Sequence, residues 1–314
     1  MESRLLKTIL YFDVFSYPLL VEEILKYNGI QHGESEQAEK ILHSLNLRGF
    51  LNFNRGYYFI DPDFSIVENR IKGNLRAQKR LGVARRYSKI ISFFPFVRGI
   101  FLSGSLSKGC ISEIDDIDYF IITSPGRLWI TRSLLVLFRR VFLLNSHKNF
   151  CVNYFIDAEN LSVRRQNRFT ATEIAFLLPM YNLPLHSELI KANNWIKNYY
   201  PTFQQNGEWV IANTSVIKKM MEKILDNKMG EYFDNCLYKY SKRFIERKFG
   251  YLGEEIFSRN FCLRKNEVQY FPKQNGTGIM ERYYKRVRLF KKLYGTSNLF
   301  ILTPLLKMAM ISVL

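Results

Sequence analysis

The chain has 314 residues, with 46 Lys and Arg against 28 Asp and Glu, a formal charge of +18 and a pI near 9.7. Its 47% apolar and 24% charged composition is that of a folded globular protein of two or three domains and excludes a disordered chain. The charge points to a polyanionic partner, whether nucleotide, nucleic acid or an anionic membrane surface, without choosing among them.

Cys110, Cys151, Cys236 and Cys262 are widely spread and form no C-x-x-C pair, and only four histidines accompany them. That argues against a zinc site and for free thiols. At the N-terminus, Glu2 and Asp13 interrupt the apolar run that a secretion signal needs, so a cytoplasmic protein is expected.

In chain order, residues 1–62 read as a small module. Helices are expected in "LLKTILYFDVF", after the break at Tyr17-Pro18, and in "ESEQAEKILHSLNLRG", where Ala38, Ile41, Leu42 and Leu45 share a face. "FLNFNRGYYFI" then alternates into a hairpin turning at Asn54-Arg55-Gly56. Three helices and a β-wing resemble a winged-helix module. DNA contact is only weakly supported, because Glu34, Glu36 and Glu39 on the third helix would repel phosphates; Lys40, His43, Arg48 and Arg55 oppose them.

A basic helix is predicted from Asp63 to about Lys89, either a solvated connector or a positive wall beside a phosphate site. "FPFVRGIFLSGS" and "DIDYFIIT" read as strands, "RLWITRSLLVLFRRVFLL" as a helix and "NFCVNYFIDAENL" as a third strand, making a compact mixed sheet over residues 63–160. Residues 161–314 read as mainly helical. No membrane span is expected: Arg132, Arg139 and Arg140 interrupt one apolar segment, and Pro304 and Lys307 the terminal one. The fold class is therefore α+β, a small mixed sheet flanked by helices.

Asp116 and Asp118 flank Ile117 at the head of the second strand, where period two would put both carboxylates on one face about 6.5–7 Å apart. Without a cation one of two such acids stays protonated; with Mg²⁺, which favours oxygen ligands and leaves positions open for phosphate, both ionise. Gly104-Ser105 ends the preceding strand, a place where backbone can approach a polyphosphate, and Lys108 adds a positive charge. Arg127 and Arg132 at the next helix are further phosphate candidates. His147, His186, Trp129 and Trp195 read as structural.

A strand ending in Gly-Ser, about ten residues, then Asp-x-Asp heading a second strand resembles the nucleotidyltransferase superfamily, the DNA polymerase beta-like group. The resemblance covers roughly residues 95–160. It implies Mg²⁺-dependent transfer of a nucleoside monophosphate from an NTP to an acceptor hydroxyl, the acceptor being a small molecule, RNA or protein. Gly104, Ser105 and Lys108 would hold the nucleotide, and Asp116 and Asp118 the metals. The family's third carboxylate sits on the next core strand, where this chain has Asn153, which can ligate through its carbonyl but cannot act as a base. Asp157 is expected on the same face four residues on, as the replacement acid or as a strand-end cap. Two other readings stay open: a nucleotide-binding regulator without turnover, and a basic scaffold for RNA or membrane surfaces.

Overall fold

The computed structural model describes residues 1–202, 215–271 and 276–296. They form two compact units: residues 1–73, 196–202 and 277–296 in one, 74–195 and 215–271 in the other. The terminal apolar segment beyond residue 296 lies outside the described residues.

In the first unit the order is α1 (Glu2–Asp13), β1 (Leu19–Leu20), α2 (Val21–Asn28), α3 (His32–Leu47), β2 (Asn52–Asn54) and β3 (Tyr57–Phe59). Leu5, Ile9 and Phe12 of α1 are buried, as are Ile24 of α2 and Ala38, Leu42 and Leu45 of α3, each set at helical spacing. The hairpin turns at Arg55 and Gly56, both with positive φ, the twist that suits a two-residue connection. β1, which the sequence pattern did not suggest, pairs antiparallel with β3 and completes a three-stranded sheet in the order β1-β3-β2. The break at Pro18 is held by Arg70, whose guanidinium donates to the Pro18 carbonyl at 2.7 Å and to Glu23 at 2.6 Å. On α3, Lys40 pairs with Glu36 while Glu34 and Glu39 are exposed.

Helix α12 (Gly276–Thr296) belongs to this unit. Its Arg286 meets the buried Asp13 at 3.2 Å, and Tyr283 packs edge-on against Tyr11. The expected division at 62, 160 and 314 is corrected here, because the end of the supposed C-terminal region packs with the first helices.

α4 (Ser65–Ser92) runs from the first unit into the second. The second unit is built on six strands: β4 (Val97–Ser103), β5 (Asp118–Thr123), β6 (Cys151–Asp157), β7 (Leu178–Tyr181), β8 (Phe261–Leu263) and β9 (Glu267–Tyr270), in the order β7-β4-β5-β6-β9-β8. β5 and β6 are parallel and the other pairs antiparallel. A parallel pair needs a crossover, which α6 (Leu128–Phe142) supplies. β7, β8 and β9 come from the stretch expected to be helical, a second correction. They are three or four residues long, too short to show period-two alternation, and β7 carries Pro179, tolerated because β7 is an edge strand.

One face of the sheet packs Ile100, Leu102, Tyr119, Ile121 and Phe155 against Ala77, Ala84 and Ile91 of α4 and Leu128, Trp129 and Leu135 of α6. The other face packs Phe101, Phe120, Ile122, Tyr154 and Ile156 against Leu185 and Leu189 of α8 (Leu183–Ala192). Each aliphatic side chain buried this way contributes about 2 kcal/mol.

The remaining helices are α5 (Gly104–Ser107), α7 (Arg168–Ala175), α9 (Val216–Leu225), α10 (Lys228–Phe249) and α11 (Gly253–Asn260). Asp234 of α10 is fully buried and accepts the Trp129 and Ile130 N–H groups at 2.8 and 2.9 Å, capping α6. No helix among the described residues is long and apolar enough to cross a membrane.

Candidate functional site

β4 and β5 are registered so that Ser103 faces Asp118. The chain leaves β4 through Gly104 at φ +67°, a conformation that favours glycine, and a Cβ there would stand 2.5 Å from Asp118 Oδ2. Glycine therefore allows the turn and the close approach of backbone to carboxylate together. Gly104 to Ser107 form the single turn α5.

Ser105 Oγ donates to Asp115 Oδ2 at 3.0 Å, and the same oxygen accepts the Ser112 N–H at 3.1 Å. Lys108 Nζ donates to the Gly104 carbonyl at 3.0 Å and to Glu173 Oε1 at 2.8 Å. Glu173 Oε2 accepts the Gly104 N–H at 3.4 Å. A carboxylate from α7 thus takes the Gly104 N–H and Lys108, the cation that the sequence assigns to a phosphate.

The acid loop is held from α4. Arg80 donates to the carbonyls of Asp115 and Lys148 at 3.2 and 2.6 Å and to Asn149 Oδ1 at 3.1 Å, and Arg76 pairs with Glu113 at 2.8 Å. Part of the basic helix therefore braces the loop. β5 begins at Asp118, so Asp116 stands just ahead of the strand, half-exposed; between them Ile117 is fully buried and bonds to Lys148 and Cys151.

Asn153 Nδ2 donates to Asp118 Oδ1 at 2.8 Å. It gets there through a β-bulge: Val152 faces Tyr119 and Tyr154 faces Phe120, leaving Asn153 as the extra residue. Its own Oδ1 is buried with no hydrogen-bond partner. Burial pushes the Asp118 carboxyl up from 3.8 to about 7, and the charges of Glu173 and Asp116 push the same way, against a thiol hydrogen bond from Cys151 and the charge of Lys108. The Cys151 thiol is itself raised by burial and by Asp118.

Asp157 is not part of this group, which corrects the reading of it as a replacement acid. It lies opposite Thr123 at the far end of β5, about 16 Å from Asp118 along the strand. The bulge at Asn153 also reverses the alternation, so Asp157 falls on the Phe155 side of the sheet and Asp118 on the Phe120 side. Asp157 instead closes a turn, accepting from the Glu159 N–H at 3.1 Å and Asn160 Nδ2 at 2.8 Å. Arg127 and Arg132 follow that same far end, near Asp226 and over Trp129 and Tyr270 respectively. Trp129 and His186 are core residues, while His147 contacts Arg139 at 3.1 Å.

Beside Asp118 stand the Asp116 carboxylate, the Asn153 amide and the Cys151 thiol, and the paired carboxylates are oxygen donors. This suits a hard divalent cation such as Mg²⁺. Among the described residues no three or more His, Cys, Asp and Glu side chains are grouped to hold a metal ion on their own. Glu173 and Asp115 were missed by sequence reasoning, and only Asp115, next to Asp116, carried a local signal; Arg80 lies on the helix expected to be basic.

No protein-family model, no curated protein and no solved structure matches the chain.

Proposed function

We propose that the chain is a nucleotidyltransferase that transfers a nucleoside monophosphate from a Mg²⁺-bound NTP to an acceptor hydroxyl. The observation that carries this is the registration of Ser103 against Asp118, which sets Gly104 where a Cβ would strike the carboxylate. It gathers Gly104, Ser105, Lys108, Asp118 and Asn153 at one end of the sheet, next to Asp116. Asp116, Asp118 and the Asn153 carbonyl would hold Mg²⁺, which when bound neutralises the acids and the phosphates. Lys108 would turn from Glu173 to the nucleotide. We read residues 1–62 as a winged-helix-like module on its element order, but the exposed Glu34 and Glu39 and the Glu36–Lys40 pair do not favour DNA contact.

Titration calorimetry with each of the four NTPs and Mg²⁺ tests the reading. Wild type binds at least one, and the Asp116→Asn/Asp118→Asn variant loses affinity by about 100-fold or more with its fold unchanged. Full affinity in that variant refutes it. Asn153, which donates to Asp118 where a third carboxylate would be needed, favours a second reading, a nucleotide-binding regulator without turnover. Labelled ATP separates the two: label transferred to an acceptor makes an enzyme, and tight binding without transfer makes a regulator.

A further inference from the structure

Helix α9 is built inside out. Its sheet-facing side carries charge: Lys218 is buried and donates to the Ser92 and Val97 carbonyls at 3.1 and 2.7 Å, and Glu222 accepts from the Phe96 N–H at 2.6 Å and from Arg98 at 2.8 and 3.2 Å. Its outer side carries Val216, Ile217, Met220 and Ile224, between 63% and 80% exposed. A surface helix normally turns its apolar side inward.

α10 continues the pattern. Met229, Phe233, Tyr240 and Phe244 fall on one face at helical spacing and are between 47% and 70% exposed. The elbow joining the two helices is tight: a Cβ on Gly230 would lie 1.8 Å from the Leu225 carbonyl oxygen. The crossing of the two helices allows no side chain at position 230.

The charge beside these faces is mainly basic. Lys219, Lys223, Lys228, Lys239, Arg243 and Arg247 are exposed, while the exposed acids Asp226, Glu231 and Glu246 are each drawn to a cation, Arg127, Lys265 and Lys242. A second copy would set basic flank against basic flank. Protruding aliphatic and aromatic side chains bordered by lysines fit a bilayer interface, where the apolar atoms enter the acyl boundary and the ammonium groups reach lipid phosphates.

We propose that the outer face of α9 and α10 docks the protein on an anionic phospholipid surface, independently of the chemistry at Asp118. Flotation of the full chain with phosphatidylcholine vesicles, with and without about 30% phosphatidylserine, tests it. The chain floats with the anionic vesicles and stays behind with the neutral ones. Ile217→Glu/Met220→Glu/Ile224→Glu lowers the bound fraction at least about tenfold with an unchanged circular dichroism spectrum, and Lys219→Glu/Lys223→Glu lowers it in part. Absence of wild-type flotation on both vesicles overturns the proposal, as does equal flotation of the triple variant. A wild-type dimer in sedimentation that the triple variant converts to monomer overturns it in favour of a contact between copies. Binding to an acidic helical peptide without vesicle binding overturns it in favour of a protein partner.

Discussion

Two acids in the second unit are held above their ordinary range, Asp118 at the head of β5 and Asp234 under the start of α6. Burial is the first cause in both; it pushes Asp118 up to about 7 and Asp234 up to about 6. Their surroundings differ. Asp234 accepts two backbone N–H groups that would otherwise be orphaned at a helix start, and Arg127 and Lys265 pull its pKa back down. Asp118 stands among other acids, receives one amide donor from Asn153, and caps nothing. An acid that satisfies the backbone is part of the scaffold, whereas one crowded by like charge costs stability that a bound cation would return.

The largest effect separating them is in pH. Below about pH 4 Asp118 is protonated folded or unfolded and adds no slope. Between its ordinary 3.8 and about 7 the unfolded chain is ionised and the native chain is not, so stability falls by about 1.4 kcal/mol per pH unit, up to about 4 kcal/mol, and levels off above 7. Asp118→Asn removes that slope and is the more stable protein at pH 8, as urea midpoints at pH 5 and pH 8 would read. Saturating Mg²⁺ and nucleotide restore wild-type stability at pH 8 without affecting the variant. Asp234→Ala goes the other way. It leaves the Trp129 and Ile130 N–H groups unsatisfied and costs about 2–3 kcal/mol at pH 7 by the same measurement. Equal loss in Asp118→Ala would make Asp118 another scaffold residue. The smallest effect is that of Glu173→Gln, which takes one like charge from beside Asp118 and moves the pH where stability levels off downward by a fraction of a pH unit.

Much of the sheet was legible because its central strands are long and apolar and end in residues with few uses. Gly104-Ser105, Asp116 and Asp118 stood out at strand ends, and the crossover α6 followed from a single amphipathic run. The edge strands did not stand out. "LPMY" reads as the end of a helix, and "FCLRKNEVQY" offers three residues and four residues around a turn with no glycine to mark it. Glu173 lies mid-helix without a motif, and its role follows only from how α7 is carried up to Gly104. Asp157 misled because alternation was counted through Asn153, where an inserted residue resets it.

That inserted residue separates two things a strand usually does together. Val152 and Tyr154 would stay in consecutive pairs with Tyr119 and Phe120 if position 153 were deleted, so the ladder and both cores have no need of it. The amide that touches Asp118 is an addition to the architecture rather than a member of it. Selection can therefore exchange or discard that donor while the protein goes on folding as before.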